Sequence, residues 1–200
     1  SKRFQGVMCF TADEAIYLHE KGLDDLFIAY PTWDEDQLKK ICQLVQYGKT
    51  IIVTVDSEEH IDRLEQIAQS ENGHFLVAVD IDLSTKFPGL HFGVYRSPLQ
   101  SVDDVIRLIK RINSSPYVKL DGLIGYEAQI AGVVDHAPKQ RMKNYVVRFL
   151  KKRSLHEIKQ KRSEIMKALN KEGITIRFFN GGGTGSMHTT KEEDVVTEIT

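Results

Sequence analysis

The chain has 200 residues, is 41 % hydrophobic and carries a formal charge of −1 at pH 7, enough to bury a substantial core as one globular domain over residues 1–200. The near-neutral balance excludes nucleic acid as a general partner, because phosphate-backbone binding needs a net or clustered positive surface. Two cysteines, Cys9 and Cys42, exclude a disulfide framework, and the lack of an apolar run of about 18 residues or a signal-peptide pattern points to a cytoplasmic protein with no membrane partner.

Residues 4–10 read as a strand. Thr11 then caps a helix with Glu14 three residues on, and Gly22 stops it. Residues 26–30 form the next strand, ended by Pro31. Asp34 opens a helix with Leu38, Ile41, Cys42 and Val45 at helical spacing, and Gly48 ends it. Residues 50–55 are a β-branched strand, and Ser57, His60, Ile61, Leu64 and Ile67 outline another amphipathic helix. Residues 75–81 are nearly continuous in apolar residues, as expected of a parallel strand covered on both faces. Cys9 on its strand and Cys42 on its helix read as core thiols.

A long loop over residues 83–100 precedes a helix carrying Val102, Val105, Ile106 and Ile109; loops of this length are more often functional than idle. Residues 118–124 are the fifth strand and residues 174–179 the sixth. Between them a helical region runs over residues 138–171, with Pro138 at its start, Gly173 beyond its end and Ser154 as a point of interruption. Its basic part carries Tyr145, Val146, Phe149, Leu150, Leu155 and Ile158 at helical spacing. That pattern reads as a core-facing stripe with a solvated Lys/Arg face. Residues 195–200 begin a seventh strand.

Seven strands, each but the last followed by helix or loop and helix, are one short of an eight-stranded barrel. The fold class is therefore α/β, an incomplete (β/α)8 TIM-type barrel. Chemistry in such barrels sits at the C-terminal strand ends, which singles out Asp80 and Asp82, His91, Tyr126 and Glu127, and the run Asn180-Gly181-Gly182-Gly183-Thr184-Gly185-Ser186. Asp80 and Asp82 alternate in side, so only one faces a barrel interior; either also suits a cap. Glycines allow close backbone approach to an anion, and Thr184 and Ser186 add hydroxyl donors. The run falls where these barrels commonly place a phosphate.

Val7-Met8-Cys9-Phe10-Thr11-Ala12-Asp13-Glu14-Ala15, Leu26-Phe27-Ile28-Ala29-Tyr30-Pro31 and the glycine run, in that order, resemble the D-threonine aldolase and amino-acid deaminase group of the alanine-racemase-like (fold type III) enzymes. The likeness extends through Leu90-His91-Phe92-Gly93-Val94-Tyr95-Arg96-Ser97-Pro98-Leu99. It implies pyridoxal 5′-phosphate as cofactor, an amino-acid substrate attacked at its α-carbon by aldolase, racemase or deaminase chemistry, and a homodimer in the full-length enzyme. It implies that Gly181, Gly182, Gly183, Thr184, Gly185 and Ser186 cradle the cofactor phosphate and that Tyr126 contacts its ring. Where relatives carry an arginine in a Gly-Arg-x-Gly-like turn this chain has His91, the candidate to stand near the phenolic oxygen.

The resemblance also implies two absences. The Schiff-base lysine of the group sits on a strand upstream of the segment matching Phe4, and no part of this chain matches that strand, so the catalytic residue is unassigned and the chain by itself is expected to be inactive. The chain begins Ser1-Lys2-Arg3, which reads as a processed, truncated or partial polypeptide. The second is the C-terminal β domain, which supplies the opposing acid/base group and the metal ligands of the aldolases. His136, His156 and His188 are accordingly not read as a metal site. Lys119 lies on the wrong rim, Lys39, Lys40, Lys143 and Lys151 are helix-surface charges, and Lys86 alone stays open. Two other readings stand beside this one: a barrel enzyme holding a phosphorylated substrate, with Asp80, Asp82 or Glu127 as general base, and a non-catalytic phosphate-binding module.

Overall fold

The computed structural model describes residues 5–133 and 138–200. In chain order the elements are β1 (Val7–Cys9), α1 (Ala12–Glu20), β2 (Leu26–Ile28), α2 (Glu35–Gln46), β3 (Ile51–Val55), α3 (Glu58–Ser70), β4 (Phe75–Asp80), β5 (Thr85–Phe87), β6 (Leu90–Phe92), α4 (Val102–Asn113), β7 (Val118–Gly125), α5 (Ala128–Ala131), α6 (Arg141–Lys171), β8 (Phe178–Gly181), α7 (Met187–Thr190) and β9 (Glu198–Ile199). They fall into two compact units, one of the described residues up to Asp80 with Arg107–Leu123, the other of Ile81–Ile106 with the described residues from Ile124 on.

The first unit is a strand–helix repeat with parallel pairing: Val7 pairs with Leu26, Leu26 with Ile51 and Ile52 with Leu76. β7 lies next to β4, where Phe75 N–H donates to the Tyr117 carbonyl at 2.9 Å. Every residue of β3 is buried, the mark of a parallel strand covered on both faces. The helices start on local signals. Thr11 Oγ1 accepts the Glu14 N–H at 3.2 Å while the Glu14 carboxylate takes the Phe10 N–H at 2.6 Å. Asp34 and Ser57 cap α2 and α3 by accepting the N–H groups of Gln37 and His60. His60 is fully buried, with Nε2 2.8 Å from the Thr32 carbonyl and its ring stacked on Trp33.

In the second unit β8 and β9 pair in parallel, Asn180 with Glu198 and Gly181 with Ile199. The long loop expected over residues 83–100 instead contains an antiparallel hairpin, β5 with β6, in which Thr85 pairs with Phe92 and Phe87 with Leu90. Pro88-Gly89 makes its turn, Gly89 at φ +72°. β8 runs Phe178–Gly181 rather than over residues 174–179, and its later end places Asn180 and Gly181 inside the strand.

α6 is continuous, and Pro138 lies ahead of its first residue. Ser154 does not interrupt it. Its buried hydroxyl sits 2.6 Å from Thr85 Oγ1 and accepts Gln129 Nε2 at 3.1 Å, so the polar group has its partners off the helix. The core line of α6 is Val147, Ser154, Ile158, Arg162, Ile165 and Leu169. Tyr145, Val146 and Phe149, expected on that face, are exposed, because partnered polar residues occupy the inward positions that an apolar pattern alone assigns elsewhere.

Candidate functional site

The glycine run leaves β8 at Gly181 and enters α7 through Ser186. Gly182 has φ +82°, a conformation that disfavours any residue with a side chain. A Cβ at Gly185 would collide with the Ala131 carbonyl, and one at Gly183 would press on the Tyr126 ring. The loop closes on itself where the N–H groups of Ser186 and Met187 both donate to the Gly183 carbonyl, at 3.0 and 2.9 Å.

A carboxylate sits under this loop. Glu127, two residues beyond β7 and 1 % exposed, accepts the Gly182 N–H at 3.0 Å and the Ser186 hydroxyl at 3.0 Å. It also accepts the Thr190 hydroxyl and one amino group of Arg162. Arg162 is fully buried and donates in addition to the Gly125 carbonyl at 2.6 Å and to Glu193 Oε1 at 2.8 Å. Burial by itself would raise the pKa of Glu127. The Arg162 charge and the hydrogen bonds from Thr190, Gly182 and Arg162 outweigh it and hold the carboxyl below the ordinary range. Glu193, which shares the same guanidinium, is shifted upward, chiefly by burial.

Gly182 and Ser186 therefore spend their donors on Glu127. The N–H groups of Gly183, Thr184 and Gly185 and the Thr184 hydroxyl make no hydrogen bond among the described residues, and Thr184 and Gly185 are exposed. This set suits a phosphate monoester, since adjacent backbone donors on a glycine loop can each address a different oxygen.

Tyr126 lies beside the loop with its ring against Gly183 and the Arg96 guanidinium 6.0 Å from its ring centre. His91 is on β6, stacked on Tyr95 at 3.6 Å, with neither ring nitrogen hydrogen-bonded among the described residues. Asp82 Oδ1 takes the Ser84 N–H at 2.7 Å, so Asp82 serves as a turn cap, and Asp80 is buried at the end of β4. The Lys86 ammonium is engaged by Gln100 Oε1 at 2.7 Å. His136 lies outside the described residues. Arg162, Thr190 and Glu193 carry no sequence signal of a site; Arg162 sits in a basic segment that reads as a solvated face, and only its place on the core line of α6 sets it apart.

Residues 1–195 match the family described as alanine racemase, N-terminal domain. The chain belongs to that family. A curated relative, the 3-hydroxy-D-aspartate aldolase of Paracoccus denitrificans, is 23 % identical over 97 % of this chain and 45 % of its own length. The solved D-threonine aldolase of Filomicrobium marinum superposes with a TM-score of 0.77 at 19 % identity, over 97 % of this chain and 47 % of that one. An alanine racemase of Clostridium difficile gives 0.69 at 16 % identity, over 99 % and 43 %. These structural likenesses speak to the fold. The chain spans about half the length of the relatives it matches. The resemblance drawn from the ordered segments, to alanine-racemase-like enzymes of the D-threonine aldolase group, is thereby shown.

Proposed function

We infer that this chain is the cofactor-phosphate portion of a pyridoxal-phosphate-dependent enzyme acting at the α-carbon of an amino acid. Members of the family depend on that cofactor, and the named relatives are an aldolase of 3-hydroxy-D-aspartate, an aldolase of D-threonine and an alanine racemase. The parallel strand–helix repeat supports reading the chain as part of a (β/α)8 barrel, and the family likeness supports a homodimer as the assembled enzyme. No helix among the described residues is long and apolar enough to cross a membrane.

The observation that carries the reading is the uncommitted donor set of Gly183, Thr184 and Gly185 in a loop where a side chain at Gly185 would collide with the Ala131 carbonyl and one at Gly183 would press on the Tyr126 ring. These groups would hold the cofactor phosphate, and the Tyr126 ring against Gly183 would flank the pyridine ring. The chemistry supplied by the bound cofactor is an electron sink for the pair left on the substrate α-carbon. The chain's own residues would contribute position, with Gly183, Thr184 and Gly185 anchoring the phosphate. Glu127 makes a poor general base, because both oxygens are bonded and a carboxyl held below the ordinary range is a weak proton acceptor. That weighs against a barrel enzyme using it to deprotonate a phosphorylated substrate.

Titration with pyridoxal 5′-phosphate and with pyridoxal tests the reading. The phosphate ester is expected to bind and to protect residues 183–185, and pyridoxal to bind at least about tenfold more weakly, the worth of a single charged hydrogen bond. Equal affinity for the two, or perturbation confined to residues elsewhere, would remove the assignment.

A further inference from the structure

The donors of the glycine run divide into two sets, and the division gives Glu127 a role of its own. We propose that Glu127 is a built-in anion, a positioning residue that clamps the inner half of the loop so that only Gly183, Thr184 and Gly185 are left for a ligand phosphate. This rests on the cofactor-phosphate reading above for the ligand, though not for the clamp.

A carboxylate offers about four acceptor positions. At Glu127 they are filled by Gly182 N–H, Ser186 Oγ, Thr190 Oγ1 and Arg162. Those donors come from just beyond β8, from the N-cap and end of α7, and from α6, so one side chain ties these three elements together around the loop. A loop of glycines has no side-chain packing to hold its N–H groups in one direction and carries a large entropic cost for doing so. An ionised, buried acceptor beneath it offsets that cost before any ligand arrives. The arrangement also sorts the donors by exposure: Gly182, Ser186 and Thr190 are buried, whereas Thr184 and Gly185 are open. Ser186, which looks like a phosphate ligand in sequence, is by this geometry part of the clamp. Thr184 is the hydroxyl that reads the phosphate.

Amide exchange at Gly182 and binding of inorganic phosphate and pyridoxal 5′-phosphate, measured on the same chain, test the division. Thr184→Ala is expected to weaken both ligands about tenfold, one hydrogen bond to a charged group, with Gly182 exchange unchanged. Ser186→Ala is expected to leave phosphate affinity within about twofold and to speed Gly182 exchange, as one clamp contact is lost. Glu127→Gln, which keeps the shape but removes the charge, is expected to speed Gly182 exchange about tenfold or more and to weaken phosphate binding in step. Should Glu127→Gln fail to fold, Thr190→Val removes a single donor and is expected to give the same change in Gly182 exchange at smaller amplitude. Ser186→Ala costing as much phosphate affinity as Thr184→Ala with Gly182 exchange unaltered would overturn the division, as would Gly182 exchange that ignores Glu127→Gln or Thr190→Val. If the unaltered chain binds neither ligand, the cofactor-phosphate reading fails, and Gly182 exchange still decides the clamp.

Discussion

Arg162 Nη1 donates to Glu193 Oε1 at 2.8 Å, although the other amino group of the same guanidinium already serves Glu127. One buried cation thus faces two buried carboxylates, and the two respond oppositely: Glu127 is held below and Glu193 above the ordinary carboxyl range. Geometry explains the asymmetry. Glu127 has donors on both oxygens, whereas Glu193 Oε2 has none among the described residues.

Glu193→Gln is expected to gain on the unaltered chain as pH rises. Because the folded-state pKa of Glu193 is raised, its favourable contribution is fully present below 4.5, the ordinary value, and is lost as pH rises through the raised value. The amide has no such loss. The unfolding free energy of Glu193→Gln relative to the unaltered chain should therefore rise from pH 4 to pH 7, measured by denaturant melts. A difference that stays flat over that range contradicts the shift.

Glu127→Ala is expected to cost about 3–5 kcal/mol at pH 7, because it removes one of the two carboxylates facing buried Arg162 and leaves the Gly182 N–H and the Ser186 and Thr190 hydroxyls without their buried acceptor. Its sign with pH is opposite to that of Glu193. A lowered folded-state pKa means stability that is present above 4.5 and lost as pH falls through the depressed value. Acid should accordingly narrow the gap between Glu127→Ala and the unaltered chain, and a gap that widens in acid would refute the assignment.

Burial holds His60 down to about 4, only partly opposed by its bond to the Thr32 carbonyl. Between pH 6.5 and 4 the unfolded chain binds the proton that the folded one refuses, so stability present above 6.5 is lost as pH falls through that window. The loss amounts to about 3 kcal/mol. His60→Gln should flatten this slope, and the ring proton resonances of His60 should titrate with a midpoint near 4.

Cys9 and Cys42 are fully buried, and their thiols are pushed up to about 11, chiefly by burial and next by the charges of Glu14 and Glu71 respectively. Neither is expected to react with a thiol-specific disulfide reagent at pH 8 while the chain is folded, and both should react on unfolding. Rapid labelling of the folded protein would show that one of these sites opens.

Much of the frame is legible before any coordinates. The caps at Thr11, Asp34 and Ser57 each bond a residue three positions on, so the signal is local and survives in the sequence. The apolar periods of β3, α2 and α3 are equally local, and the glycine run announces itself by composition. The hairpin of residues 85–92 was not legible, because a run of three residues on each side of Pro88-Gly89 is too short to distinguish from loop.

What the order of residues determined is the repeat of strand and helix, the place of the glycine loop after its strand and the family to which the chain belongs, all set by period and neighbour. The loop's own chemistry was decided in three dimensions. Glu127 meets Gly182 across 55 positions, Thr190 across 63 and Arg162 across 35. No propensity or spacing encodes such a meeting, because it depends on how the packed elements bring distant backbone and side chains to one buried point. That is why Arg162 reads as a surface cation in sequence and stands, in the structure, as the counter-charge of the loop.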